Sequence, residues 1–360
     1  MGRQWGGEIL WETDALFYQA KVEQIRGKDE RAALRDVFAG PLSSRAREIE
    51  AAHEELRRVR DPAWPLYSER FYERRWLLPL TAAGMYPVLG EHSLETLSLL
   101  AYVAVAPLLF LLLRRRFRPL TSLAVAAAVV ALPPLRDWSI FPLTDSAGLA
   151  LLIAGFLAAL LVLDRGLRWL PLWLACVVAL SFTRDTAFIL VVSALLLVLV
   201  RRDRPTGALA IGGILAAAPA PLLFGVSLRE QLAYVFNDHT APADTSWGFI
   251  LGEYVPHLGG VADRYMEYAA GHPAVIAFFL VGILCAFALA PRRDPLFVLL
   301  FGSLAGYVIL LLIGPSFSIF RYELVLVPLA ASGLALGAER AAEALRRVRE
   351  RRRVALAARS

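Results

Sequence analysis

The side chains best suited to chemistry in this sequence are charged residues that lie beside long apolar runs. Asp14 and Tyr18 are four residues apart, which places them on one face of a helix. Arg184 and Asp185 form an adjacent pair between two apolar runs, and Arg321 precedes the last such run. Guanidinium groups bind phosphate through paired hydrogen bonds, and a carboxylate can take a proton from an attacking hydroxyl group. If these groups face one cavity, a ligand with a phosphate and a sugar fits them.

Further polar residues stand at the edges of apolar runs. Arg136 and Asp137 precede one run, Asp145 opens it, and Tyr322 and Glu323 open the last one. An ionisable residue at such a place costs roughly 2.5–3.5 kcal/mol on membrane-insertion scales. Residues of this kind therefore tend to face the interior of a helix bundle or a water-filled cavity.

Each of these groups also has a purely structural explanation. The adjacent Arg–Asp pairs at 136–137 and 184–185 can neutralise each other at a membrane interface. Asp145 can cap a helix near the positive end of its dipole, and Asp14 can be an ordinary carboxylate in a first helical turn. The residue types alone leave both explanations open.

Composition indicates which elements must position these side chains. The chain has 360 residues, of which 58% are hydrophobic, and its mean hydropathy is +0.54. The apolar residues are concentrated in blocks near the length that crosses a lipid bilayer as a helix, and a block such as 149–163 is apolar on all sides, unlike a barrel strand. We therefore expect an all-α, polytopic transmembrane helix bundle with about nine to ten spans. The blocks are 93–113, 119–133, 142–163, 168–183, 186–200, 207–226, 273–290, 295–313 and 322–338.

The connections between these blocks alternate in charge. The basic set is 114–118, 164–168, 201–204, 291–294 and the tail 339–360. The other set is 134–141, 184–185, 227–272 and 314–321. Because basic connections remain in the cytoplasm, we predict a multi-pass plasma-membrane protein with a bundle at 93–338, an external loop at 227–272 and a basic cytoplasmic tail.

The N-terminal region 1–92 is rich in charge of both signs and is predicted to form external, juxtamembrane helices. Within it, Arg74 to Gly90 is short for a span and is typical of a helix that lies in the interface. No span or signal peptide precedes this region. Either a first span is missing from the chain, which we favour, or 75–90 crosses the membrane and leaves 1–74 in the cytoplasm.

The formal charge of +6 does not indicate a nucleic-acid partner, because the arginines sit mainly at the ends of apolar blocks, where they fix topology. Cys176 and Cys285 both fall in mid-block and are predicted to be small apolar fillers. His239 and His257 lie in the long connection and are too far apart to indicate a zinc site.

Several short motifs resemble the GT-C superfamily, which are integral-membrane glycosyltransferases that use polyprenyl-phosphate sugars. Asp14 with Tyr18, followed by a charged helical stretch, looks like the first external loop of that superfamily. The segment 74–80 with Gly90 is similar to its juxtamembrane helix. The resemblance covers most of residues 11–338, and three more motifs are similar to its mannosyltransferase-like branches: Thr144-Asp145, Thr183-Arg184-Asp185, and Arg321-Tyr322 leading into 327–330.

The resemblance implies a sugar transfer on the external side of the membrane. It implies that Asp14 is the general base and that Arg184, with Arg75 and Arg321, holds the phosphate of the donor lipid. It also implies that Asp137 or Asp145 orients the sugar or a divalent metal. The implied substrate-binding residues are Tyr18, Asp137, Asp145, Asp185, Asp238, His239, Glu253, His257 and Tyr322.

The sequence also departs from this pattern. Thr13 separates Glu12 from Asp14, so the adjacent acidic pair of some members is missing, as is the first span. These departures favour a non-catalytic membrane protein that binds a lipid-linked glycan. A secondary transporter is a further alternative, although there is no convincing internal repeat and the charges cluster at one face. The sugar, the acceptor (lipid, glycan or protein) and any need for a metal remain open.

Overall fold

The structure is a computed structural model, and it describes residues 13–40, 63–237, 239, 241–313 and 321–357. Throughout these residues the regular elements are helices, with no strand. This confirms the all-α prediction. The helices are α1 Thr13–Ile25, α2 Glu30–Ala39, α3 Ala63–Ser68, α4 Leu77–Leu89, α5 Ser93–Arg114, α6 Pro119–Val130, α7 Pro133–Ile140, α8 Asp145–Arg165, α9 Leu170–Ser181, α10 Ala187–Arg201, α11 Arg204–Ala217, α12 Pro219–Phe224, α13 Leu228–Phe236, α14 Trp247–Gly271, α15 Pro273–Leu289, α16 Pro295–Ile313 and α17 Val327–Ala357.

Several helical segments are long and apolar enough to cross a membrane. Five qualify by themselves, and the pair α14 and α15, which bends by 105°, brings the number to six if it is a single span. The five are Leu77–Arg114, Asp145–Arg165, Arg204–Phe224, Pro295–Ile313 and Glu323–Arg351. Helices α6, α9 and α10 are apolar but shorter. Membrane-spanning character is therefore supported, whereas the count of nine to ten spans is not confirmed.

Local sequence explains where these helices begin and end. Gly90 has a φ of +56° and Gly166 a φ of +91°, a region that suits glycine, and they follow α4 and α8 directly. Asp203 caps α11, because its side chain accepts from the backbone N–H of Thr206 at 3.0 Å. The predicted end of the juxtamembrane helix at Gly90 matches this geometry.

Ion pairs mark two places in the bundle where helix ends meet. At one end Arg116 pairs with Asp294 at 3.0 Å, and Arg115 pairs with Asp164. At the other end Arg321 and Arg184 both pair with Asp145. We call the first the loop end and the second the site end.

Small residues allow close helix packing within the bundle. A Cβ atom placed on Gly333 of α17 would lie 1.8 Å from the carbonyl oxygen of Gly282 in α15. A Cβ atom on Gly302 of α16 would lie 2.3 Å from the Cα atom of Ser193 in α10. Since lipid tails give helices no hydrophobic reason to associate, such close backbone approach is a usual basis of packing in membranes.

The N-terminal helices pack on the site end of the bundle. Helices α1, α2 and α3 share an apolar core in which the ring of Phe17 lies 4.9 Å from that of Phe38 and 5.4 Å from that of Trp64. The backbone N–H of Leu77, at the start of α4, donates to the carbonyl oxygen of Phe182 after α9 at 2.9 Å. These contacts fix the region that carries Asp14 against the tips of the bundle helices.

Candidate functional site

Asp14 lies in the first turn of α1, and both of its carboxylate oxygens are engaged. Its Oδ1 accepts a hydrogen bond from the hydroxyl of Tyr72 at 2.6 Å. Its Oδ2 lies 2.7 Å from Nη2 of Arg321 and 4.0 Å from Nη1 of Arg75. The residue predicted to be the base is thus in contact with two of the three arginines predicted to bind phosphate.

Arg321 bridges two carboxylates from different elements. Its Nε donates to Asp145 Oδ1 at 2.9 Å and to Oδ2 at 3.1 Å, while its Nη2 faces Asp14. Arg184 also donates to Asp145, and its guanidinium carbon lies 5.2 Å from the ring centre of Tyr322. Gly148 leaves room for this arginine, because a Cβ atom there would lie 3.0 Å from its Cδ.

Arg75 joins the N-terminal region to the turn between α9 and α10. Its Nη1 donates to the hydroxyl oxygen of Tyr18 at 2.8 Å, and its Nη2 donates to Asp185 Oδ2 at 3.3 Å. Arg74 pairs with the other oxygen of Asp185. The Nε of Arg75 is buried without a hydrogen-bond partner.

The ion pairs hold the neighbouring carboxylates in their charged form. Burial raises the pKa of Asp14, but Arg321, then Arg75 and the Tyr72 hydroxyl outweigh it and lower the pKa to about 2. Burial likewise raises the pKa of Asp185, but the positive charges of Arg74 and Arg75 have the larger effect and lower it. Burial and the Asp14 charge raise the pKa of Tyr72, which keeps its hydroxyl protonated as a donor.

The charged groups of this cluster are joined by direct ion pairs. Among the described residues, the guanidinium groups of Arg74, Arg75, Arg184 and Arg321 pair with the carboxylates of Asp14, Asp145 and Asp185. Glu323, two residues after Arg321, accepts hydrogen bonds from the hydroxyls of Tyr265 and Tyr307 and also interacts electrostatically with Arg184. Counting Glu323, the four arginines face four carboxylates.

A cavity of about 120 Å³ adjoins the charged cluster. It is lined by Asp14, Arg70, Phe71, Tyr72, Arg74, Arg75, Asp185, Phe224, Val226, Gln231, Tyr234, Val235, His239, Arg321 and Tyr322. Part of the lining is charged and includes Asp14, Arg75 and Arg321, which we call the charged wall; another part is aromatic and apolar, which we call the aromatic wall and which consists of Phe71, Phe224, Val226, Tyr234 and Val235. A pocket of this kind suits a ligand with one anionic and one less polar part.

The second wall comes from the segment after α3 and from α13. The rings of Phe71 and Tyr234 stack with their centres 4.0 Å apart, and the Tyr234 hydroxyl donates to Ser68 Oγ at 2.9 Å. His239 has a φ of +59°, and its carbonyl oxygen accepts from the indole N–H of Trp64 at 2.7 Å. The N-terminal region and the connection after α12 therefore close the cavity together.

The structure brings some of the predicted site residues to the cavity and leaves others behind it. Those that line it are Asp14, Arg75, Asp185, His239, Arg321 and Tyr322. Arg184, Asp145 and Tyr18 are buried behind the charged wall and contact its members. Glu253 and His257 lie on α14 and are not among the lining residues. The predicted external loop 227–272 is largely helical, because it contains α13 and α14. Asp238 and the side chain of Asp137 lie outside the described part of the chain.

Sequence reasoning missed Tyr72, Arg74 and the aromatic wall. Arg74 directly precedes Arg75, and this doublet next to an apolar helix was an available signal. Tyr72 gave no signal, because its role depends on a contact with Asp14 across 58 positions of the chain. Glu323 was singled out at the start of the last apolar run, but its contacts with two tyrosines of separate helices were not predicted.

Carboxylates of the charged wall are the groups able to hold a divalent cation, but arginines already occupy them. Within the residues that the structure describes, no group of three or more His, Cys, Asp or Glu side chains has a metal-binding arrangement. A metal would have to replace Arg321 or Arg75 as the partner of Asp14. The involvement of a metal stays a prediction.

Comparisons with models of protein families, with characterised proteins and with solved structures found no match to this chain.

Proposed function

We propose that this protein is a membrane glycosyltransferase that transfers a sugar from a polyprenyl-phosphate donor to an acceptor hydroxyl. The observation that carries the proposal is the meeting of Asp14, Arg75 and Arg321 on one wall of a single cavity. The arginines would hold the phosphate, and the carboxylate would take the proton of the acceptor. The resemblance of the sequence motifs to the GT-C superfamily agrees with these roles.

The position of the arginines favours a donor whose phosphate belongs to a lipid. Arg75 lies two residues before the candidate span that starts at Leu77, and Arg321 lies two residues before the one that starts at Glu323. The phosphate of a membrane-embedded lipid lies at the same interface.

The reaction needs little beyond positioning and charge. The acceptor hydroxyl oxygen forms a bond to the anomeric carbon, and the bond from that carbon to the donor phosphate oxygen breaks. The hydroxyl proton goes to Asp14, and the electron pair leaves with the polyprenyl phosphate, whose added charge Arg75 and Arg321 stabilise. A base positioned in this way contributes on the order of 10²–10⁴ in rate.

The proposal includes a membrane arrangement. The six candidate spans and the three shorter apolar helices α6, α9 and α10 supply nine crossings of a plasma membrane. We place the site end outside and the loop end, with the C-terminal part of α17, in the cytoplasm, because the basic connections meet there. Single cysteines at Glu73 and Arg293 would test this with an impermeant thiol reagent on intact cells. Labelling at position 73 alone is expected, and labelling at position 293 alone would contradict it.

A second candidate function is non-catalytic binding of a lipid-linked glycan. The observation that favours it is the state of Asp14, whose two oxygens are engaged and whose pKa is about 2. A carboxylate with so low a pKa is a poor proton acceptor near neutral pH. A binding protein would use the same arginines without needing a base.

One transfer assay separates these two functions. Purified protein in liposomes would be given polyprenyl-phosphate hexoses and pentoses with radiolabelled sugars, plus membrane extract as the source of acceptor. Asp14→Asn is expected to lower transfer about 100-fold or more and to retain donor binding. Asp164→Asn, the matched change in an Arg–Asp pair at the loop end, is expected to leave transfer within about twofold. Binding without transfer in the unaltered protein would support the non-catalytic function instead.

A further inference from the structure

We infer that the donor phosphate and Asp14 compete for the same guanidinium group, that of Arg321, so that Asp14 becomes a proton acceptor only while the donor is bound. This inference rests on the proposed function and deepens it. It concerns the order of events at the site: donor first, base second, acceptor last.

The starting point is the set of contacts that Asp14 makes at the cavity wall. Oδ2 lies 2.7 Å from Nη2 of Arg321, and Oδ1 receives the hydroxyl hydrogen of Tyr72 at 2.6 Å. Arg75 adds a third donor at 4.0 Å. Because these partners stabilise the charged form, the carboxylate gains little from accepting a proton.

The geometry of Arg321 allows one edge of its guanidinium group to change partner while the other stays fixed. Its Nε is held by both oxygens of Asp145, at 2.9 and 3.1 Å. Asp145 is in turn held by Arg184, and its side chain is fully buried. The Nη2 edge instead faces Asp14 at the cavity wall. A phosphate oxygen in the cavity can therefore take Nη2 without disturbing the inner pair.

Arg75 supports the same exchange. Its buried Nε has no partner, and it lines the cavity beside Asp14. A phosphodiester in the cavity that binds Nη2 of Arg321 would take over the donor that Asp14 uses, and the positive charge of Arg75 on the same wall would help to hold it. Phosphate oxygens are strong acceptors for arginine, so they compete well with a single carboxylate oxygen.

Donor binding then changes Asp14 in two ways of the same sign. Asp14 loses its closest cation, and a new negative charge arrives nearby. Both raise its affinity for a proton, whereas Tyr72 remains to orient it. Among the residues that the structure describes, the charged and titratable groups that face Asp14 are Tyr18 on α1, Tyr72 and Arg75 before α4, and Arg321 before α17.

Carboxyl-directed labelling of the full-length protein in detergent tests this exchange. A water-soluble carbodiimide with an amine nucleophile modifies the protonated form of a carboxyl group, and mass spectrometry gives the labelled fraction of each aspartate. The probe is dibutyl phosphate, a phosphodiester monoanion without a transferable sugar. At pH 5 each unit of increase in pKa raises the protonated fraction about tenfold, so an increase from about 2 to about 4 is expected to raise labelling of Asp14 about 100-fold with saturating probe. Asp164 serves as the internal reference and should not change.

The Arg321→Gln variant is the matched control. Removing this guanidinium should raise Asp14 labelling without any probe, and added probe should give a much smaller further increase than in the unaltered protein, because only the effect of the added negative charge remains. Probe binding to the unaltered protein with unchanged Asp14 labelling would overturn the inference, provided that the probe does not lower labelling of the variant by blocking the reagent.

A second measurement decides the matter if the variant does not fold or the probe blocks the reagent. This measurement is the single-turnover transfer rate with prebound donor as a function of pH. The rate falls at low pH as Asp14 in the donor complex becomes protonated, and the midpoint of that fall gives its pKa. This midpoint is expected near or above the ordinary aspartate value of about 4. A midpoint still near 2 would overturn the inference while leaving the glycosyltransferase intact. By contrast, failure of dibutyl phosphate to bind, together with no transfer, would count against the proposed function.

Discussion

The two ends of the bundle use the same residue types for different purposes. At the site end Arg321 pairs with Asp145, with side-chain exposures of 8% and 0%. At the loop end Arg115 pairs with Asp164, with side-chain exposures of 30% and 52%. Both pairs join residues that are distant in sequence, and both lie at helix ends.

The difference in burial indicates that the ion pairs of the two ends have different roles. Exposed ion pairs contribute about 0–1 kcal/mol and are weakened by salt, so the loop-end arginines need no role beyond orienting the helices in a membrane. Buried ion pairs carry a desolvation cost that often exceeds their attraction, so they are poor devices for stability alone. The buried cluster is therefore the better candidate for chemistry, although a count of charges along the sequence treats the two ends alike.

The largest expected difference in stability between the ends comes from removing one carboxylate charge. Asp145→Asn leaves the guanidinium groups of Arg184 and Arg321 buried with less compensation, and we expect a loss of about 3–5 kcal/mol in the free energy of unfolding. Asp164→Asn removes an exposed partner of Arg115 and should cost less than about 1 kcal/mol. Denaturant unfolding in the same detergent measures both. Equal losses would show that burial does not distinguish the ends.

Acid should reveal a smaller contribution from Asp14. Its pKa is lowered to about 2 in the folded protein, below the unfolded value of about 3.9. A lowered pKa stabilises the fold above the unfolded value and loses that stabilisation as the pH falls through the folded value. We expect roughly 2 kcal/mol of stability to disappear between pH 4 and pH 2. The Asp14→Asn protein should lack this component, and an unchanged acid profile in the variant would contradict it.

The smallest effect is expected at the loop end itself. A double-mutant cycle on Arg116 and Asp294, which lie 3.0 Å apart, should give a coupling energy of about 0.2–1 kcal/mol. Because Arg116 is 46% exposed, the coupling should fall toward zero in 1 M salt. A coupling above 2 kcal/mol that resists salt would make the two ends alike after all.

The helices could be predicted from the sequence because apolar periodicity and length are local properties. Blocks such as 142–163 and 295–313 correspond closely to α8 and α16. The connection 227–272 was predicted as an external loop, although its sequence contains Pro256 and charged residues such as Asp263 within what the structure shows as a helix. Its 25-residue helix α14 tolerates both residues.

The site could be predicted in part. Asp14, Arg75 and Arg321 are charged residues of types suited to proton transfer and phosphate binding, and the structure brings them to one cavity wall. The aromatic wall was not predictable, because the contact of Tyr234 with Ser68 joins residues 166 positions apart. Nothing in either segment alone indicates that they meet.

Direct binding of a lipid phosphate tests the central claim most sharply. Equilibrium binding of polyprenyl phosphate in detergent would be compared for the unaltered protein, Arg321→Gln at the site end and Arg116→Gln at the loop end, after thermal unfolding has shown each to be folded. Loss of one charge-assisted phosphate contact is worth about 1.5–3 kcal/mol, so Arg321→Gln should weaken binding about 10- to 100-fold. Arg116→Gln should change it less than twofold. Equal binding by all three proteins would contradict the assignment of the buried cluster as a phosphate site.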